Sequence, residues 1–315
     1  MSPPAGPDPE ISRRLDPALR DFAAARSDLS LETLAAVRQS LDERRAAALA
    51  TIDSTGVDIT DPIVPRDTGP PIPVRVYRGA AAPSPGVIYC HAGAFVLGNL
   101  DTDHRQCVEL ARRGGCTIIS VDYRLAPEHP FPAAVDDVLA VARWVTASIG
   151  SLGGDPARIA IAGDSAGGNL AAVTANELPG TFALQVLIYP ATDLNLTHPS
   201  VQENGQGYLL TKEAMDWFAD HYLGDTDRRL PQVSPLFADD ATLAAAPSAL
   251  IITGEFDPLR DEGEAYAERL RAAGVTVEHR RYDGMIHAFF PMRGMIPAAE
   301  QALEEVTAAL ARAWS

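Results

Sequence analysis

The chain has 315 residues, enough for one large α/β domain or two small ones, and enough to bury a sizeable core. Asp and Glu number 42 against 26 Lys and Arg, a formal net charge of −16. Such a surface repels nucleic acid and anionic membranes, so neither is expected as a partner.

The first ten residues are rich in proline. They show neither the basic segment nor the apolar core of a signal peptide, and no run approaches a membrane span. The expectation is a soluble cytoplasmic protein. Two helices are then predicted, Asp16 to Arg26 with Asp16 as cap and Leu31 to Ile52 with Ser30 as cap. No strand precedes them, so they read as an added cover. Strand patterns follow in VDITDPIVP and IPVRVY, with a turn at Pro83-Ser84-Pro85-Gly86. Val87 to Cys90 is a buried strand, Asp103 to Arg113 a helix and Cys116 to Asp122 a second buried strand. A proline-punctuated loop, YRLAPEHPFP, leads to a helix over Ala133 to Ile149.

Ile159 to Ala162 forms a compact apolar strand, and a helix begins behind Ser165. Ala183 to Tyr189 is another strand. Residues 191–210 read as polar and irregular, and Lys212 to Tyr222 as a helix. Together they interrupt the strand–helix rhythm and so look like an insertion. Ala249 to Thr253 and Val275 to Tyr282 are strands. Glu262 to Ala273 and Ala298 to Trp314 are helices. Alternation of this kind predicts one mostly parallel sheet with helices on both faces. The three cysteines, Cys90, Cys107 and Cys116, fit neither a zinc pattern nor a disulfide framework.

Gly163-Asp164-Ser165-Ala166-Gly167 is a G-x-S-x-G motif placed between a buried strand and a helix. A serine at the tip of so sharp a turn has backbone passing close on both sides, so side chains at Gly163 and Gly167 would collide with it. Serine needs a base, and the base an orienting acid, each just past a strand end. Asp257 follows ALIIT and His287 follows VEHRRY, in the chain order serine, acid, base. Asp261 and Glu255 are rivals for the acid, although Asp261 sits where a helix cap belongs. Of seven histidines only His287 lies after the last strand in a glycine-containing loop; His279 is expected to be structural. His91-Ala92-Gly93-Ala94 can present the amides of Gly93 and Ala94 to an oxyanion, and Ala166 a third. His91 is expected to brace that loop.

HAGAF at 91–95, DYRLAPEHPFPAA at 122–134, GDSAGGNLA at 163–171, DPLRDEG at 257–263 and Gly284 with His287 together resemble the hormone-sensitive-lipase-like (bacterial family IV) α/β-hydrolase esterases. The resemblance covers roughly residues 85–290. It implies an α/β-hydrolase fold with a helical cap from about 1–52 and 191–225, within a single domain. It implies Ser165 as nucleophile, Asp257 as acid and His287 as base, with Gly93, Ala94 and Ala166 as oxyanion donors. The family pattern HGGG is altered by Ala92 and Ala94, which keep their amides but narrow the space beside them.

The expected activity is hydrolysis of small-molecule carboxylic esters of short to medium acyl length, without metal or cofactor. Amidase, thioesterase and lactonase chemistry use the same groups, and a receptor that has lost the chemistry is the alternative from another class. A dehalogenase is disfavoured because its nucleophile is normally a carboxylate. Phe95, Leu209, Trp217 and Phe218 could line the pocket, but core packing is the role expected of each. The oligomeric state stays open, a homodimer included.

Overall fold

In the computed structural model the described residues are 14–20, 30–66, 69–79 and 82–315. Helix α1 (Leu31–Leu49) starts at Ser30, whose hydroxyl accepts the Thr33 amide while Thr33 Oγ1 accepts the Ser30 amide. Short strands β1 (Asp58–Thr60) and β2 (Ile63–Val64) flank β3 (Ile72–Arg78). The alternating portion then runs β4 (Ser84–Cys90), α2 (His104–Gly114), β5 (Thr117–Val121), α3 (Ala133–Ser148), β6 (Gly154–Asp164), α4 (Ala166–Glu177) and β7 (Leu184–Ile188). An insertion carries α5 (Pro199–Asn204), α6 (Lys212–Leu223) and α7 (Asp240–Ala244). The chain closes with β8 (Ser248–Phe256), α8 (Arg260–Ala272), β9 (Val277–Ile286) and α9 (Pro297–Ala313).

The strands form one sheet in the order β1-β3-β5-β4-β6-β7-β8-β9, with β2 beside β3. β3 is antiparallel to β1, β2 and β5; every pairing from β5 through β9 is parallel. The strands alternate sides residue by residue. Ile88, Ile119, Ile161, Leu187 and Ile251 face a core shared with α3, α4 and α8. Val87, Ile118, Ala160, Val186 and Ile252 face a second core with α2 and α9. Apolar residues on both faces are what a parallel sheet covered by helices requires. Among the described residues no helix is long and apolar enough to cross a membrane.

Several expectations shift. Residues 83–86 are not a free turn: Ser84 already belongs to β4, and its hydroxyl meets Thr117 Oγ1 at 2.8 Å. The polar stretch 191–210 carries α5, and α7 and a 3₁₀ turn at Pro235–Phe237 precede β8. The helix expected over Asp16 to Arg26 opens with a 3₁₀ turn at Pro17–Leu19, with Asp16 Oδ1 accepting the Ala18 amide, and Arg20 is helical; residues 21–26 of that segment, and residues 1–10, lie outside the described residues. Asp261 does not cap α8, whose cap position is Leu259; its carboxylate instead accepts the Ser200 amide at 2.8 Å. β9 runs on through the expected loop to Ile286, after a register shift opposite Gly254 to Phe256.

Candidate active site

Neighbouring parallel strands end together, so residues just past them share one crevice. β4 ends at Cys90, paired with Gly163 of β6; β8 ends at Phe256, paired with Ile286 of β9. His91, Ser165, Asp257 and His287 are therefore delivered to one edge by register alone.

Ser165 has φ 57° and ψ −120°, a conformation side chains rarely adopt, and its amide is held by the Ile188 carbonyl at 2.9 Å. The turn closes this tightly only because Gly167 lacks a side chain: a Cβ there would overlap the carbonyl of Cys90. α4 starts at Ala166 and directs its unpaired first amides toward the same space.

His287 Nε2 lies 3.0 Å from Ser165 Oγ, and His287 Nδ1 lies 2.8 Å from Asp257 Oδ2. Asp257 is fully buried. Its other oxygen accepts the Leu259 amide at 2.8 Å, and its backbone carbonyl takes the Asn204 side-chain amide at 3.2 Å. The Tyr189 ring packs against the imidazole, centroids 4.8 Å apart. Of the two rival acids, Asp261 turns to Ser200 and Arg260. Glu255 accepts the Gly284 amide at 2.8 Å and pairs with Arg14, so it holds the segment that leads to His287.

The loop after β4 is coiled so that Gly93 O accepts the amides of Val96 and Leu97 at 3.0 and 2.8 Å. Gly93 has φ 138°, and a Cβ on it would overlap the Leu97 carbonyl. Ala94 also lies at positive φ, 52°, where glycine would be less strained. Ala94 and Ala166 border the same pocket as Ser165, and Gly93 precedes Ala94 in the loop. His91 is fully buried, stacked on Tyr123 with its Nδ1 2.7 Å from the Ala92 carbonyl. Burial holds its imidazole down at about 4, so it is neutral and cannot serve as a base near neutrality.

The pocket has an empty volume of about 420 Å³. Beside Ser165, Ala94 and Ala166, its wall takes Phe95 from the loop after β4, Ala191, Leu194 and Leu196 from the start of the insertion, and Leu259 before α8. Leu210, Met215, Phe218 and Ala219 close it from the insertion's far side. Of the four residues expected in the core, Phe95 and Phe218 also border the pocket. Leu209 and Trp217 pack instead against the two cores. Leu194, Leu196 and Leu210 escaped the sequence reading. The signal was present as isolated apolar residues in a polar stretch that leads from a strand end.

The Phe95 ring stacks on Tyr222 at 3.9 Å, so the loop after β4 and α6 share an aromatic contact. α1 reaches the same loop by a different route. Arg38 donates to the carbonyls of Val96 and Ala126 at 3.0 and 2.7 Å and pairs with Glu128.

A family model described as the alpha/beta hydrolase fold matches residues 87–291. The ethyl acetate hydrolase of Pseudomonas putida is 38% identical over 283 residues, covering 87% of this chain and 88% of that protein. Carboxylesterase NlhH of Mycobacterium tuberculosis is 43% identical over 250 residues, 77% of this chain and 78% of its own length. The crystal structure of esterase LipW from Mycobacterium marinum superposes with a TM-score of 0.91 at 42% identity, covering 98% of each chain. The family model runs from β4 to just past His287, the likeness to relatives in sequence and to solved structures in shape extends over most of the chain, and this protein belongs to the hormone-sensitive-lipase-like esterases of the α/β-hydrolase family.

Proposed function

We propose that this carboxylic ester hydrolase works through an acyl-enzyme formed on Ser165. With its proton on Nδ1 and Asp257 as partner, His287 presents a bare Nε2 to the serine hydroxyl and takes its proton as Oγ attacks the ester carbonyl. The oxyanion is met by the amides of Gly93, Ala94 and Ala166, each donor worth on the order of 10²–10³ in rate. His287 then protonates the leaving alcohol, and water repeats the sequence to release the acid. Asp257, buried and held by Leu259 and Asn204, keeps the imidazole oriented and stabilises its charged form.

The observation that carries this reading is the continuous contact from Asp257 through His287 to Ser165, three residues from three strand ends. Replacing Ser165 with alanine is expected to lower kcat for p-nitrophenyl butyrate by about 10⁴-fold or more. Undiminished hydrolysis would refute the assignment.

For the substrate we infer small neutral esters of short to medium acyl length. The wall side chains are hydrocarbon or thioether apart from Ser165, and the pocket is open on one side to solvent. Nothing in that wall would compensate a buried charge on the acyl chain. We assign the cap to about 1–52 and 191–225; its pocket-facing part is the 191–225 portion, while α1 braces the oxyanion loop through Arg38. We favour the cytoplasm as the compartment, because the three cysteines are free and buried. The net charge of −16 argues against nucleic acid as a partner.

A further inference from the structure

Behind the nucleophile two buried carboxyls meet, and the mechanism above uses neither. Asp164, between Gly163 and Ser165, is 2% exposed. Its Oδ1 accepts the Tyr89 hydroxyl at 3.1 Å and its Oδ2 the Tyr189 hydroxyl at 3.3 Å. Asp103, 3% exposed, precedes α2. Its Oδ2 accepts the amide of Ala92 in the oxyanion loop at 3.1 Å, and its Oδ1 the Gln106 side-chain amide at 2.6 Å. The two carboxyls lie within hydrogen-bonding reach of each other.

A hydrogen bond between two carboxyls requires that one of them carry a proton, and two adjacent carboxylates in a buried site cannot both ionise. The surroundings decide which. Asp103 has two N–H donors and lies in the fields of Arg45 and Arg293. Asp164 faces the hydroxyls of Tyr89 and Tyr189, with Cys90, Cys107 and Tyr123 also near. Burial, and then the charge of Asp103, hold the Asp164 carboxyl well above the ordinary carboxylate range.

We propose that Asp164 is a positioning residue that donates its carboxyl proton to Asp103, so that the pair ties the nucleophile turn to the oxyanion loop and fixes the spacing between Ser165 and the amides that meet the oxyanion. The proposal rests on the roles given above to Ser165 and to those amides. Neither aspartate touches substrate.

The test compares Asp164→Ala and Asp164→Asn on p-nitrophenyl butyrate, with serine reactivity counted by organophosphonate titration. Asp164→Ala is expected to lose about 10- to 100-fold in kcat with KM changed by less than about twofold, because the misplaced amides act on the transition state. Asp164→Asn keeps an N–H donor toward Asp103 and is expected to recover most of that loss. An alanine variant with wild-type kcat, or an asparagine variant as slow as the alanine one, overturns the proposal. The infrared difference between wild type and Asp164→Asn at neutral pH reads the proton itself. A protonated-carboxyl stretch present only in wild type is expected, and a difference spectrum without it overturns the proposal whatever the variants do to rate. Wild-type protein that fails to react with the organophosphonate would instead count against the Ser165 assignment.

Discussion

The crevice at the strand ends and the insertion above it are built by different rules. Ser165, Asp257 and His287 each follow directly on a strand of the parallel sheet, so backbone pairing sets their separations. The insertion has no ladder to hold it. Its wall residues sit on coil before and after α5 and on one face of α6, and are placed by packing alone. The difference teaches where change is tolerated. Chemistry is tied to sheet register, where a small displacement is expensive, whereas pocket shape rests on side chains that can be exchanged one at a time.

Breaking the first region should have the largest effect. Asp257→Ala removes the partner of His287 Nδ1 and is expected to lower kcat by about 10³–10⁴-fold with KM little changed, read in steady-state kinetics. A loss under about tenfold would mean that the imidazole is oriented by something else, such as the Tyr189 ring.

A smaller effect separates the two regions by pH. His91 sits beneath the oxyanion loop with its pKa depressed by burial from an ordinary 6.5 to about 4. Between those values the unfolded chain binds the proton and the folded one does not, so stability falls as pH drops through that window. Integrated over the shift, the loss is about 3 kcal/mol. Asp103 and Asp122, raised by burial to about 6, work in the opposite sense as pH falls, so the His91 contribution must be isolated by difference. Wild type should therefore lose more stability than His91→Gln between neutral pH and about pH 4, by an amount of that order, in urea denaturation. Equal losses would contradict the assignment of a neutral, buried His91.

The smallest expected effect belongs to the insertion. Met215→Ala opens the pocket wall opposite Ser165. It should raise kcat/KM for an octanoate ester relative to a butyrate ester by roughly 3- to 10-fold, while butyrate turnover changes little. A uniform fall on all esters would place Met215 in support of the triad rather than in the wall.

The two regions were also unequally legible in the sequence. The crevice could be read because its signals are local. Ser165 lies in a five-residue motif whose glycines answer to close backbone approach, and Asp257 and His287 each follow an apolar strand pattern. The central strands and the long helices α3, α4 and α9 were equally readable, since burial on both faces or along one stripe leaves a periodic trace. α5, α7 and the Pro235–Phe237 turn were not, because segments of three to six residues have no period to detect. The extension of β9 to Ile286 was hidden by Asp283 and Gly284, which read as a loop. Gly284 is held there by the Glu255 carboxylate, a long-range contact that spacing does not encode.

The central claim, that Ser165 is a nucleophile activated by His287, is tested most directly by mass spectrometry after exposure to an organophosphonate. One covalent adduct per chain, located on Ser165 and formed far more slowly in His287→Ala, is predicted. An unmodified Ser165 in the wild-type protein, or equal labelling with and without the imidazole, would contradict it.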